Sequence, residues 1–420
     1  MPLKIPSGEV SMKASELRGK TIAFAGSGGL DSCTITRWLA DQGVSVVCCT
    51  VDMAQPDEDD IGAIEKRMRL AGASDFVLLN AREEIAQAGL NVIQNQAIYE
   101  GRYWNTTGIA RYVIVEAVLK EMRKRNLEVF SHGATGRGND QVRFQLGMNM
   151  LAPGMQVYAP WRDPEFLARF KGRGEMIDFC ESKGLEIKAT RSKPYSTDAN
   201  MLGLTHEAGI LESLETGVNA ITSGMGVLPK DAPEAGENIS IRFERGIPVG
   251  IDGKKLSLFD VFEQSNRRAG AHGIGIGVHL VENRFVGIKS RGVYEAPAME
   301  LLGSAYEYLL QLVLDRRSRE LFDHAARFLG KQIYTGYWFD KGTEMARAAI
   351  TPVSAIATGT ISVSMRKGSV MFEAATDVPH SLYLEDEASM EAVGSYDHAD
   401  AEGFLRILGV GARAVSLTRG

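Results

Sequence analysis

Two rhythms of apolar residues divide the chain. From residue 21 the apolar runs are short and continuous: Thr21-Ile22-Ala23-Phe24-Ala25, Val44 to Val51, Phe76 to Leu79 and Leu127 to Ser131. Amphipathic stretches separate them, from Asp31 to Gln42, from about Asp57 to Ala71, and from Glu83 onward. Buried strands alternating with helices predict a doubly wound parallel sheet, an α/β domain whose ligands bind beyond the carboxyl ends of the strands. Beyond about residue 190 the period changes to two. Ile239, Ile241 and Phe243 alternate with polar residues as far as Arg245-Gly246, Val249 and Ile251 alternate back, and Asp252-Gly253 supplies another turn. Ile361, Val363 and Met365, the turn Lys367-Gly368, then Val370 and Phe372 repeat the design. These are antiparallel hairpins. Between them, Pro297 to Leu329 has helical spacing through Ala305, Leu309 and Leu312, so the second domain is α+β. The expected division is a leader (1–20), a nucleotide-binding domain (21–188), a second domain (189–402) and a short C-terminal tail (403–420).

Composition narrows the function without naming it. In 420 residues, 47 Lys and Arg face 53 Asp and Glu, a formal charge of −6, so a polyanion-binding surface is not the dominant theme and no nucleic-acid partner is expected. No stretch approaches the ~20 apolar residues of a membrane span, and no membrane association is expected. The first 20 residues hold no signal-peptide core, and Cys33, Cys48, Cys49 and Cys180 form no CxxC pair. They read as core thiols of a cytoplasmic protein. His206, His272 and His279 lack ligand-like spacing, so no protein metal site is expected. The Gly273 to Gly277 alternation lacks the strand a dinucleotide fingerprint needs and is expected to be a flexible loop near the substrate. The acidic run Asp57 to Asp60 reads as a helix start stabilised by the helix dipole.

The chemistry concentrates in two loops. Ser27-Gly28-Gly29-Leu30-Asp31-Ser32 lies between a strand and a helix, where glycines let backbone N–H groups approach an oxyanion and the helix N-terminus adds positive charge. It lacks the lysine of a Walker A loop. This Ser-Gly-Gly-x-Asp-Ser pattern resembles the pyrophosphate-binding loop of the ATP pyrophosphatase group, which cleaves ATP between the α and β phosphates. The second loop, Ser131 to Arg143, again joins a strand to a helix, and Asn139 and Arg143, four apart, can present an amide and a guanidinium from one face to a carboxylate or ureido group.

The whole string SHGATGRGNDQVRF closely resembles argininosuccinate synthase. So do AQPDEDD (Ala54 to Asp60), RYWNTTGIAR (Arg102 to Arg111), YSTDANMLGLTHEAGILE (Tyr195 to Glu212) and VENRFVGIKSRGVYEAP (Val281 to Pro297), in the family's order over nearly the entire chain. The resemblance implies a cytoplasmic carbon–nitrogen ligase of arginine biosynthesis, with residues 189–402 as its synthetase domain. It would join L-citrulline to L-aspartate through a citrullyl-adenylate, releasing AMP and pyrophosphate. It implies ATP as cofactor with Mg²⁺ bound mainly through the phosphates, and a homotetramer packed partly through the C-terminal tail. Carried over by position, Ala25, Ser27, Gly28, Gly29, Asp31, Ser32 and Gly133 hold the nucleotide. Thr135, Asn139 and Asp140 take aspartate, while Tyr103, Thr107, Arg143, Ser196, Thr205, Glu282 and Tyr294 surround citrulline. Asp31, Asp140 and Arg143 are the expected catalytic residues. Arg143 suits a carboxylate and Glu282 the citrulline α-ammonium. Tyr103, Thr107 and Arg111, at four-residue spacing, would line the pocket from one helix face. Three positions depart from the family pattern: the Ala25-Gly26 insertion, Cys33 in place of a hydroxyl residue, and Gly108 where Ser or Pro is common. The Ala25-Gly26 insertion and Gly108 motivate the alternative of a specialised paralogue that couples aspartate to another ureido or amide acceptor.

Overall fold

The computed structural model describes residues 12–57, 60–185, 187, 195–389, 391, 394, 395 and 397–418. Most of the expected leader, the boundary expected between 188 and 189, Glu58 and Asp59 of the acidic run, and the last two residues of the tail lie outside the described residues.

The first domain runs β1 (Thr21–Ala25), α1 (Leu30–Asp41), β2 (Ser45–Asp52), α2 (Ile61–Leu70), β3 (Asp75–Asn80), α3 (Arg82–Gln94), α4 (Thr106–Arg125), β4 (Val129–His132), α5 (Asp140–Leu151), β5 (Gln156–Tyr158), α6 (Pro164–Arg169) and α7 (Arg173–Ser182). Its five strands are parallel in the order β3-β2-β1-β4-β5. The direction of winding therefore reverses between β1 and β4, and a crevice opens there at the carboxyl ends of the strands. Val46, Val47, Cys48 and Cys49 are buried, as continuous apolar strands in a covered sheet should be.

The second domain contains β6 (Ser196–Asn200), β7 (Gly203–Glu207), β8 (Glu237–Glu244), β9 (Ile247–Ile251), β10 (Lys254–Lys255), α8 (Leu258–Ala271), β11 (Ile276–Asn283), β12 (Lys289–Glu295), α9 (Pro297–Val313), α10 (Arg316–Thr335), α11 (Lys341–Ile356), β13 (Gly359–Arg366), β14 (Ser369–Thr376), α12 (Glu385–Ala388) and α13 (His398–Leu417). The expected hairpins are β8–β9 and β13–β14, joined in the antiparallel sheet β10-β9-β8-β13-β14. Its inner residues, Ile239, Ile241, Phe243, Ile361, Val363 and Met365, share a core with Leu302, Ala305, Tyr306 and Leu309 of α9. The remaining sheet, β11-β12-β7-β6, faces α4 of the first domain.

Four expectations change in detail. The helix expected from about Asp57 begins at Ile61, with Asp60 as its cap, accepting from the Ala63 N–H at 3.0 Å. The apolar stretch from Pro297 to Leu329 is two helices, because Asp315 accepts from the N–H groups of Arg317 and Ser318 and starts α10 afresh. Gly273 and Gly275 take positive φ in the packed junction between α8 and β11, and Gly277 does so within β11, so the segment is not a flexible loop; a Cβ on Gly275 would lie 2.7 Å from the Ala296 oxygen. The tail is a helix that starts at His398, with Phe404, Leu405, Ile407, Leu408 and Val410 exposed.

Candidate active site

At one end of the crevice the Ser27 loop closes on itself. The Ser27 N–H donates to Ser32 Oγ at 3.0 Å, and Arg67 Nε donates to the Gly28 oxygen at 3.1 Å. Gly28 has φ +71°, and a Cβ there would stand 2.8 Å from Ile64 Cγ2, so only glycine fits. The first helical bond runs from the Cys33 N–H to the Gly29 oxygen at 3.0 Å. The N–H groups ahead of it have no partner within the helix, the general property that suits a helix N-terminus to an anion. Ser27 and Gly29 are exposed to the crevice. At the expected Ala25-Gly26 insertion the sheet stays regular: Ala25 pairs with Cys49 and His132, the Gly26 N–H donates to the Cys49 oxygen at 3.1 Å, and Thr50 Oγ1 donates to the Gly26 oxygen at 2.7 Å.

Across the switch point the second loop approaches the first. A Cβ on Gly133 would lie 3.6 Å from the Asp31 Cβ, so the bare backbone leaves room beside that carboxylate. Asp31 accepts from Trp161 Nε1 at 3.0 Å, and burial raises its pKa above the ordinary carboxylate value. His132 accepts from the Ala134 N–H at 3.2 Å; burial, then the charge of Arg162, lowers its pKa to about 3, so the ring is neutral. The Thr135 oxygen accepts from the Gly138 N–H at 3.2 Å, and Asn139 Oδ1 accepts from the Phe285 N–H at 2.9 Å in the turn between β11 and β12. The second domain thus docks on the loop that leads into α5.

From Asp140 onward the site is built of side chains. Asp140 accepts from Arg143 Nη1 at 2.7 Å and from Arg111 Nη2 at 2.9 Å, and Arg111 also donates to Asp198. Burial pushes the Asp140 carboxyl up, but the two guanidinium groups outweigh it and hold the pKa down at about 2. Arg143 is 4% exposed; its Nε donates to the Tyr334 oxygen at 3.0 Å, and its guanidinium lies 5.0 Å from the centre of the Tyr334 ring. That ring stacks on Tyr99 at 3.6 Å, and its phenol donates to Glu282, which accepts from Tyr294 as well. Tyr294 stacks on Tyr103 at 4.2 Å, the Tyr103 phenol oxygen accepts from the Thr107 N–H at 2.9 Å, and Thr107 and Thr205 share a hydrogen bond of 2.9 Å.

Strand register explains this convergence. Asp198, Thr205 and Tyr294 lie opposite one another across β6, β7 and β12, and Ser196, Glu207 and Gly292 form the next row on the same face. Glu282 stands opposite Ser290. A Cβ on Gly292 would fall 2.3 Å from the Tyr294 phenol oxygen, so the bare position lets that phenol fold back toward Glu282.

Hydrogen bonds and ring contacts link Asp140, Arg143, Glu282, Tyr294, Tyr103, Thr107 and Thr205, and register sets Ser196 one row away, with one local change. Tyr103 precedes α4, bridging to Tyr99, while Asn105 takes the left-handed conformation before the helix begins. It reaches the pocket through Tyr294, not along a helix face. Sequence reasoning passed over Asp198, which stands within the quoted Tyr195 to Glu212 segment, as well as Trp161, Tyr99 and Tyr334. Arg111 was visible only as a spacing.

Residues 21–186 match the arginosuccinate synthase N-terminal HUP domain, and residues 195–415 match the arginosuccinate synthase C-terminal domain. The chain belongs to the argininosuccinate synthase family. It is 42% identical to argininosuccinate synthase of Rhodopirellula baltica over 396 residues, spanning 94% of this chain and 97% of that one. Identity is 38% to the Thermotoga maritima protein (92% and 95% covered) and 35% to that of Xenopus tropicalis (92% and 94% covered). Argininosuccinate synthases are ATP-dependent ligases acting on small molecules, and the parallel-sheet domain described above is the HUP domain of that family. Among the described residues no helix is long and apolar enough to cross a membrane.

Proposed function

We propose that this chain condenses L-citrulline with L-aspartate to N-(L-arginino)succinate, converting MgATP to AMP and pyrophosphate through a citrullyl-adenylate. One observation supports this reading above the rest: Glu282 and Arg143, an anion and a cation in one pocket, are both held by Tyr334, through its phenol and its carbonyl respectively. An anion and a cation placed together suit an α-amino acid, whose ammonium and carboxylate share one carbon, with Glu282 facing the ammonium and Arg143 the carboxylate. Among the described residues Glu282 has phenol partners but no cation, which leaves its charge available to the citrulline ammonium.

The residues then divide the work. N–H groups and hydroxyls from Ser27 to Ser32 hold the departing pyrophosphate, and Ala25 and Gly133 border the nucleotide. Thr107, Ser196 and Thr205 surround citrulline with Tyr103 and Tyr294, while Thr135, Asn139 and Asp140 receive aspartate. The ureido oxygen attacks the α-phosphorus, and the aspartate amine later displaces AMP. The protein contributes position and charge, not a nucleophile. Mg²⁺ enters as part of the substrate MgATP. Among the described residues no group of three or more His, Cys, Asp and Glu side chains is arranged to hold a metal ion.

The paralogue reading gains nothing from Gly108. A Cβ there would lie 3.2 Å from Ile333 Cγ2 and 3.5 Å from Arg143 Cζ, so its neighbours already fill the space and the pocket is not enlarged. A cytoplasmic homotetramer, with the exposed apolar residues of α13 covered by other copies, and a domain division at 188/189 belong to the same proposal. The test is a steady-state assay with citrulline labelled at the ureido oxygen. AMP should form only with ATP, citrulline and aspartate all present, and should carry the label; unlabelled AMP, or AMP formed without citrulline, defeats the reading.

A further inference from the structure

Four carboxylates face the amino-acid end of the cleft from different elements: Asp140 from α5, Asp198 from β6, Glu207 from β7 and Glu282 from β11. Three are engaged. Asp140 binds Arg111 and Arg143, Asp198 binds Arg111, and Glu282 takes two phenols. Glu207, alone of the four, has no hydrogen-bond or ion-pair partner among the described residues. Its place is fixed by register, opposite Ser196 on one side and Gly292 on the other, one row from Asp198, Thr205 and Tyr294. Gly292 has no side chain to cover it, and the carboxylate reaches solvent at the cleft mouth.

The second half of the proposed reaction leaves a proton to be placed. Aspartate arrives as an ammonium, which has no lone pair with which to attack. Asp140, neutralised by two guanidinium groups and held near 2, is a poor proton acceptor. We propose that Glu207 is the proton acceptor that frees the aspartate amine, an assignment that rests on the function proposed above. One proton passes from the α-ammonium of aspartate to a Glu207 carboxylate oxygen. The exposed nitrogen lone pair forms a bond to the ureido-derived carbon of the neutral O-adenylated isourea. The carbon–oxygen bond to AMP then breaks, its electron pair leaves with the AMP phosphate, and the product retains its guanidinium. Glu207 returns its proton to water at the cleft mouth.

The electrostatic setting suits the task. Partial desolvation of this exposed residue comes first, then the negative charges of Asp140 and Asp198, with Glu282 adding to them and Arg284 from the β11–β12 turn opposing; together they raise the Glu207 carboxyl to about 7. A base is most effective when its pKa lies near the working pH.

The conservative variant Glu207→Gln separates the two half-reactions. Citrulline-dependent exchange of labelled pyrophosphate into ATP should stay within about threefold of the parent. Aspartate-dependent turnover should fall on the order of 10²- to 10⁴-fold. The parent should show an acid limb near pH 7 in kcat/KM for aspartate that the variant lacks, and Glu207→Asp should recover part of the rate. Aspartate-dependent turnover of Glu207→Gln within tenfold of the parent from about pH 6 to 9 overturns the assignment. So does a parallel loss of pyrophosphate exchange, which marks a structural role. If AMP formed by the parent carries no label from the citrulline ureido oxygen, the proposed function fails first and the role of Glu207 falls with it.

Discussion

The part of the site proposed to hold phosphate is made of six consecutive residues and mostly of main chain, whereas the part proposed to hold the amino acids is made of side chains drawn from α4, α5, β6, β7, β11, β12 and α10. At the first, glycine conformation and a helix N-terminus form the surface, and the single carboxylate among the six residues, Asp31, accepts from Trp161 Nε1. At the second, two guanidinium groups, three engaged carboxylates and a set of phenols are packed together and bond to one another, with Arg111 Nε left without a partner among the described residues. The two constructions should fail differently: the loop through its backbone, the network through uncompensated charge.

The largest contrast is expected at Asp140. Replacing it with Asn leaves Arg143, whose side chain is 5% exposed, without its carboxylate and weakens the hold on Arg111. Removing one partner of a buried ion pair costs about 3–5 kcal/mol. Calorimetry should show a large fall in Tm, far exceeding that of any single loop-hydroxyl substitution. The pH dependence carries a definite sign. The folded-state pKa of Asp140 is depressed, to about 2 against an ordinary 3.8, so its stabilisation is full above the ordinary value and drains away as pH falls toward 2. The Asn variant should lack that part of the acid transition; an unchanged acid-unfolding curve would show that the pair contributes nothing.

Next comes Glu282→Gln, which keeps the shape and removes the charge. The loss of a charge-assisted contact to the citrulline ammonium is worth about 2–3 kcal/mol, roughly a 30- to 150-fold rise in KM for citrulline. ATP affinity should change less than about twofold, because the nucleotide end shares no side chain with Glu282. Gly28→Ala reverses the partition. A left-handed alanine costs about 1–2 kcal/mol before the contact with Ile64 is counted, so ATP should bind on the order of tenfold more weakly while KM for citrulline holds. Equal effects of either variant on both substrates would erase the distinction between the two ends.

That distinction also decides what could be read from sequence. The phosphate loop was legible because strand, glycines and helix are contiguous, and the β8–β9 and β13–β14 hairpins because a period of two is a local signal. The break before α10 was legible in principle, since Asp315 caps within three residues of itself. Tyr103 was misplaced because the left-handed turn at Asn105 leaves no mark in residue spacing. Tyr334 and Tyr99 were missed for a deeper reason. Their partners are 52 and 184 residues away, in Glu282 and the Asn283 oxygen, and no local pattern distinguishes them from core tyrosines. The predicted citrulline residues came from motif resemblance; the spacer that holds them came only from the fold.

Tyr334 gives the smallest effect and the finest discrimination. Tyr334→Phe removes only the phenol that donates to Glu282. The ring stacked on Tyr99, the ring face beneath Arg143 and the carbonyl that receives Arg143 Nε all remain. Glu282 keeps Tyr294 as a donor. The expected cost is therefore that of one hydrogen bond, about 1 kcal/mol, read as a roughly fivefold rise in KM for citrulline with kcat, ATP affinity and Tm nearly unchanged. If the spacer acts by aiming the carboxylate, combining Tyr334→Phe with Glu282→Gln should cost little more than Glu282→Gln alone, because a phenol with no charge to orient has no further part in binding. Full additivity in that double-mutant cycle would mean that Tyr334 touches the substrate by itself, and the amino-acid end would then be less of a network, and more a set of independent contacts, than its geometry indicates.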